Sequence, residues 1–368
     1  MKIGQSSKAE VVSPQAENVY KRAMMRIRSG TVLLALALPW LGAAGWAQLA
    51  PSPDAPPVSN APGLSPEEEA APTVKVQVNL VDVFFTVKGK GGELVPHLTS
   101  GDCSVMEDKV PQTLKSFAAE TNLPLTLGMV LDTSYSQNRV LRLEQDAGSQ
   151  FLSRVLRKKD EAFLLSVDVN VDLLQDLTND ARLLSKGLYK AQINAGVSMG
   201  SGPVPTQGEP RGTVLYDAIY LASNEKMNQE SGRKALILLT DGEDQGSRIK
   251  IQGAIEAAQR ANVTVYVILI ADVQSYLSQG MGYFGYSAMK RVTEETGGRV
   301  INVGNNGNKL AAAFEQIEEE LRTQYVATYT PSNSKQDGTF RKLSVECKGD
   351  GLKVMARKGY YAAKADNN

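Results

Sequence analysis

Apolar residues along the chain change period near residue 124 and again near residue 325. Val74, Val76, Val78 and Leu80 alternate with mostly polar neighbours, and Val81, Val83, Phe85 and Val87 continue on the opposite parity. Alternation is the signature of a half-buried strand, and the change of parity predicts a bulge or bend. Gly89-Lys90-Gly91-Gly92 marks a turn, and 103–106 and 113–117 read as further short strands. Beyond Pro124 the alternation stops. Leu125-Thr126-Leu127-Gly128-Met129-Val130-Leu131 is a largely apolar run that ends at Asp132, as expected of a parallel-sheet strand buried on both faces.

Helical and strand periods then take turns. Val140, Ala147, Phe151, Leu152 and Val155 recur at roughly helical spacing. Strands are predicted at 162–167, 235–239, 263–270 and 299–302, with an edge strand at 171–177. Helices are predicted at 181–191, 215–228, 249–261, 288–296 and 310–321. A Gly/Pro/Ser-rich loop spans 194–212, and a Gly- and Tyr-rich loop spans 274–286. Strand alternation returns at the end, in Tyr325/Ala327/Tyr329, Leu343/Val345/Cys347 and Leu352/Val354/Ala356. The pattern predicts an α/β fold, a Rossmann-like and mostly parallel sheet with helices on both faces. It also predicts a small all-β domain, formed by 74–118 packing with 324–363. The α/β unit, 119–323, is then an insertion whose ends lie close together.

The N-terminus reads differently. Lys21, Arg22, Arg26 and Arg28 precede an apolar run at 31–46, and small residues lead to a cleavage site after Ala47. This is the layout of a secretory signal over 1–47, and the residues before Met24 are superfluous to it, so Met24 or Met25 is the expected start. The run is short for a membrane span and contains Pro39, so no stable span is expected after cleavage. A Pro/Ala-rich linker, 48–73, follows. The mature protein is thus expected outside the cytoplasm, periplasmic or secreted.

Composition narrows the chemistry. Lys+Arg and Asp+Glu both count 40, and this balance argues against a nucleic-acid partner. The single histidine, His97, lies in a turn-like stretch and is expected to face solvent, which leaves no basis for a His-dependent nucleophile or a usual zinc site. Cys103 and Cys347 lack CxxC spacing. Both sit in alternating runs, where buried free thiols and a single disulfide are each compatible with the pattern.

The candidate chemistry lies at strand ends. Asp132-Thr133-Ser134-Tyr135-Ser136 follows one buried strand, Thr240-Asp241-Gly242 follows another, and Gly212-Thr213 opens a helix between them. In an open α/β sheet, ligands bind beyond the carboxyl ends of the strands. Read singly, the serines and Thr213 could be helix caps and Asp241 a turn residue. Together they supply two carboxylates and three hydroxyls, all oxygen, which suits a hard divalent ion such as Mg²⁺, with Mn²⁺ or Ca²⁺ as alternatives. Such an ion would keep open positions for an incoming carboxylate.

These three segments resemble the metal-ion-dependent adhesion site (MIDAS) of von Willebrand factor A (VWFA) domains. The resemblance implies metal-ligand roles for Asp132, Ser134, Ser136, Thr213 and Asp241, the last often acting through water. Tyr135 stands where many members of the family have Gly. The segments 76–83, 213–218 and 357–361 further resemble a secreted VWFA-related family described from acidobacteria, although Cys103 stands where a large apolar residue is expected. The function so implied is non-enzymatic: a secreted module that binds a protein presenting an acidic side chain. A structural or envelope-assembly protein with a vestigial site is the alternative. A metal-dependent hydrolase, with Glu243 or Asp244 as base, is a third reading, opposed by the absence of a His, of a second carboxylate cluster and of a phosphate loop.

Overall fold

The computed structural model describes residues 80–119, 123–194, 212–271 and 283–364. The signal, the linker, the first predicted half-strand and most of the two long loops lie outside the described residues. Among the described residues no helix is long and apolar enough to cross a membrane.

The centre is a six-stranded sheet. Its strands are β5 (Leu125–Asp132), β6 (Glu161–Val167), β7 (Val171–Thr178), β8 (Arg233–Thr240), β9 (Val263–Leu269) and β10 (Val300–Asn302), in the order β10-β9-β8-β5-β6-β7. All pairs are parallel except β6 with β7, so the predicted edge strand is the antiparallel one. Every residue of β5 is buried, as its apolar run requires. Leu127, Met129 and Leu131 face one core with α1 (Leu141–Val155), α2 (Ala181–Leu188) and α6 (Gly307–Arg322). Val130, Leu236 and Leu238 face the other, with α3 (Leu215–Leu221), α4 (Ile251–Arg260) and α5 (Gly285–Thr296). The predicted helix at 215–228 changes winding: α3 passes into a π-helical stretch, Ala222–Met227, which buries both Ala222 and Met227.

The chain order departs in both directions from β5, to β6 and β7 on one side and to β8, β9 and β10 on the other. The β5/β8 boundary is therefore the switch point, where an open α/β sheet leaves a crevice at its carboxyl edge.

The flanking segments build two four-stranded sheets, each with strands from both ends of the chain. One has the order β13-β1-β11-β4 and joins β1 (Val81–Lys88) and β4 (Leu114–Ala119) to β11 (Tyr325–Tyr329) and β13 (Lys353–Ala356). The other has the order β14-β12-β2-β3 and joins β2 (Cys103–Glu107) and β3 (Val110–Pro111) to β12 (Phe340–Cys347) and β14 (Gly359–Tyr361). They share one core that includes Val83, Phe85, Val105, Tyr325, Tyr329 and Leu343. Ala119 and Tyr325 are register partners, so the chain enters and leaves the α/β unit at adjacent points.

β1 departs from the simple alternation expected of it: Phe84 is 9% and Thr86 2% exposed. On that second face Lys88 of β1 reaches Glu320 of α6 at 2.7 Å. Glu320 also pairs with Arg299 at 2.6 Å. His97 is exposed on a loop, in a left-handed conformation with φ 71°.

Cys103 and Cys347 are register partners on β2 and β12 and form a disulfide. It ties residues 244 apart and belongs to the sandwich, so it leaves the α/β core alone. Reduction, or replacement of both cysteines by Ser, is expected to cost about 2–4 kcal/mol of unfolding free energy. Denaturant melts with and without reductant measure it; equal midpoints would show that the bridge does not constrain the chain.

Candidate metal centre

Asp132 is the last residue of β5 and is fully buried. Its Oδ1 accepts from the Ser134 backbone N–H at 3.0 Å, which sets the turn that follows. Its Oδ2 accepts from the Thr240 hydroxyl at 2.6 Å, a bond to the end of the neighbouring strand β8. Thr240 Oγ1 in turn accepts from the Gly242 N–H at 2.9 Å. The two strand ends are thus laced together, and Asp241, 3% exposed, follows directly.

This places two carboxylates at the switch point. Burial, and then the charge of Asp241, push the Asp132 carboxyl up to about 7.

The hydroxyls of Ser134 and Thr213 do not cap helices. Ser134 precedes a single 3₁₀ turn (Tyr135–Gln137) but makes no side-chain cap to it; its Oγ lies 2.9 Å from Ser136 Oγ. The residue that caps α3 is Val214, so Thr213 is not a cap either. Thr213 exchanges backbone hydrogen bonds with Gln245, at 3.2 and 2.9 Å, which fastens its loop to the one carrying Asp241. Its hydroxyl has no hydrogen-bond partner among the described residues. The capping readings of Ser134 and Thr213 therefore fail. The turn reading of Asp241 holds for one oxygen, since Oδ1 accepts from the Glu243 N–H at 3.1 Å.

Glu243 and Asp244, imagined as bases, have other work. Glu243 Oε1 accepts from the Phe284 and Gly285 N–H groups at 2.6 and 2.8 Å and so caps α5. Asp244 Oδ1 accepts from the Ser247 hydroxyl and from the Tyr216 N–H, at 2.5 and 3.0 Å. The cap starts α5 at Gly285, three residues before the predicted start. A Cβ on Gly285 would stand 2.5 Å from the Asp241 carbonyl oxygen, so only glycine lets the helix end approach this loop. Tyr283 adds a hydrogen bond to the same carbonyl at 2.9 Å.

Two buried polar groups near the site were not singled out from the sequence, although Glu144 falls on the apolar stripe of its helix. Gln137 is 1% exposed; its amide nitrogen reaches Ile270 O at 3.4 Å and Ser136 Oγ at 3.5 Å, while its Oε1 has no partner. Glu144, on the first turn of α1, is fully buried with neither oxygen hydrogen-bonded. Burial, then the charges of Asp132 and Asp241, hold its carboxyl well above the usual range. Helical periodicity puts position 144 on the buried stripe with Val140, Ala147 and Phe151, where a Glu is out of place.

The donor set fits a hard divalent cation: carboxylates, hydroxyls and orphaned buried oxygens, with no imidazole or thiolate. Among the described residues no three of His, Cys, Asp and Glu stand close enough to hold an ion alone, so the hydroxyls would be needed.

Residues 205–306 match the von Willebrand factor type A domain. The chain carries a von Willebrand factor type A domain. The matched part of the A domain contains Thr213 and Asp241 and begins after the Asp132 loop. Among curated proteins no relative matches the sequence. Among solved structures, a von Willebrand factor type A protein from Catenulispora acidiphila is 11% identical with a TM-score of 0.44, the match covering 80% of this chain and 76% of that one. The vWF domain of the type V pili tip protein Mfa5 from Porphyromonas gingivalis is 13% identical with a TM-score of 0.41, covering 55% and 96%. The conserved hypothetical protein BatB from Bacteroides thetaiotaomicron is 17% identical with a TM-score of 0.39, covering 54% and 99%. Likenesses this distant carry no argument about what the A domain binds, and none of the matches bears on the narrower secreted family.

A carboxyl raised in the folded state favours folding while it is protonated and loses that contribution as pH rises through its folded value. Asp132→Asn is therefore expected to gain melting temperature relative to the wild type as metal-free buffer is taken from about pH 4 to about pH 7. Saturating Mg²⁺ is expected to reverse the gain. Parallel thermal melts across that range check it; a difference flat with pH would show that Asp132 bears no charge penalty.

Proposed function

We propose that this chain is an extracytoplasmic, non-enzymatic module that binds a protein partner through a divalent cation, Mg²⁺ or its close substitutes Mn²⁺ and Ca²⁺. The observation that carries the reading is the pair of buried carboxylates on adjacent strand ends, Asp132 and Asp241, beside hydroxyls that cap no helix. Asp132, Ser134, Ser136 and Thr213 are the ligands in this reading, with Asp241 acting directly or through water. The bound ion supplies an open position for a carboxylate of the partner.

The chain's own residues prepare that contact. The Thr240 and Ser134 hydrogen bonds fix the direction of both Asp132 oxygens, so little ordering remains to be done on binding. The neutral hydroxyls add oxygen without charge, which leaves the cation attractive to an anion. The rim is aromatic. Phe284 is 72% exposed and Tyr135 61%, the two most exposed large apolar residues among those described, and they lie on the loops beside Asp241 and Asp132. Tyr135, in the position where the family resemblance led one to expect Gly, points outward and does not crowd the loop. Exposed aromatics of this kind supply contact area at an interface with little loss of side-chain freedom.

Calorimetric titration of the purified chain with Mg²⁺ and Mn²⁺ is expected to show one saturable site, lost in Asp132→Ala and in Asp241→Ala. Wild-type heats indistinguishable from those of the two variants would overturn the reading.

A further inference from the structure

We propose that Glu144 belongs to the metal centre as a positioning residue: its buried carboxylate accepts hydrogen bonds from water on the cation, beneath the Asp132 loop. The inference rests on the metal-site reading above and adds a residue to it.

Four observations point there. Glu144 is fully buried, and both of its oxygens lack a hydrogen-bond partner. A buried carboxylate with neither partner nor counter-charge costs several kcal/mol in general, so such groups are retained next to something positive or protic. It lies at the start of α1, the helix that follows the Asp132–Ser136 loop directly, and it shares an electrostatic neighbourhood with Asp132 and Asp241. Gln137 Oε1, buried and equally without a partner, lies at the end of the 3₁₀ turn that precedes α1, with its amide nitrogen against Ser136 Oγ. Three buried acceptor atoms on these two side chains thus have no described donor.

Acceptors without donors match the outside of a hydrated cation. Water on a divalent ion is acidic and points its protons outward, so carboxylate and amide oxygens are its natural partners. Glu144 does not form a three-carboxylate ligand group with Asp132 and Asp241 among the described residues. The contact is therefore through water. Outer groups of this kind hold the first shell in place, and their loss typically weakens metal affinity about 10–100-fold.

The test is a Mn²⁺ and Mg²⁺ titration of Glu144→Gln and Glu144→Met beside wild type and Asp132→Ala, with thermal melts of each in chelator. Both Glu144 variants keep the side-chain volume, and both should melt in chelator no lower than wild type. Each is expected to bind the ions about 10–100-fold more weakly. An affinity within about threefold of wild type, where Asp132→Ala abolishes binding, overturns the role of Glu144 and leaves the site reading standing. A loss of affinity seen only together with a lower melt in chelator overturns it as well, because that is a packing effect. No binding by wild type removes both.

Discussion

The constraint on which this structure depends is the burial of Asp132. A carboxylate without any solvent exposure, at the end of the most enclosed strand, has lost its hydration. Two hydrogen bonds return part of that stabilisation, one from the turn that follows and one from Thr240 on the adjacent strand. They do not remove the effect of Asp241, which repels the same charge. The loops around the site keep these two acids close. Thr213 is bridged to Gln245, Glu243 caps α5, and Gly285 touches the Asp241 carbonyl. An arrangement that maintains like charges in a dry place is more readily understood as a binding site than as a stabilising feature, since apolar residues there would stabilise the fold more.

The rest of the molecule holds the site without taking part in it. Parallel strands packed on both faces give β5 and β8 fixed ends, and the reversal of chain order between them opens the crevice. The two small sheets stand at the other junction, where the chain enters and leaves the α/β unit. Their disulfide, and a buried Glu107 that accepts from Tyr329 and Tyr360 at 2.7 and 2.8 Å, strengthen that junction. α5 touches both regions: its start is capped by Glu243, and the carbonyl of its Glu295 accepts from the Lys358 N–H at 3.1 Å.

Much of this was legible in the chain. The apolar run ending at Asp132 predicted a doubly buried strand because only a sheet covered on both faces accommodates seven apolar or small residues in succession. The return of alternation after residue 325 predicted that the two ends of the chain make β structure. Ser134, Ser136 and Thr213 were recognisable as hydroxyls at a strand end and a helix start, with their task undecided between capping and ligation. Only coordinates show that Val140 and Val214 occupy the cap positions of α1 and α3.

What the sequence by itself determined is the order of strands and helices, their buried faces and the oxygen-only chemistry at the strand ends, because periodicity and residue type act locally. Tertiary structure decided the rest. It paired Cys103 with Cys347 by placing two strands in register across most of the chain. It began α5 early by lending it Glu243 as a cap, and it engaged Asp244 with Ser247 and Tyr216. It also left the oxygens of Glu144, on the buried stripe of α1, without a hydrogen-bond partner. Each of these depends on which residue lies opposite across a distance in sequence, and local pattern holds no record of that.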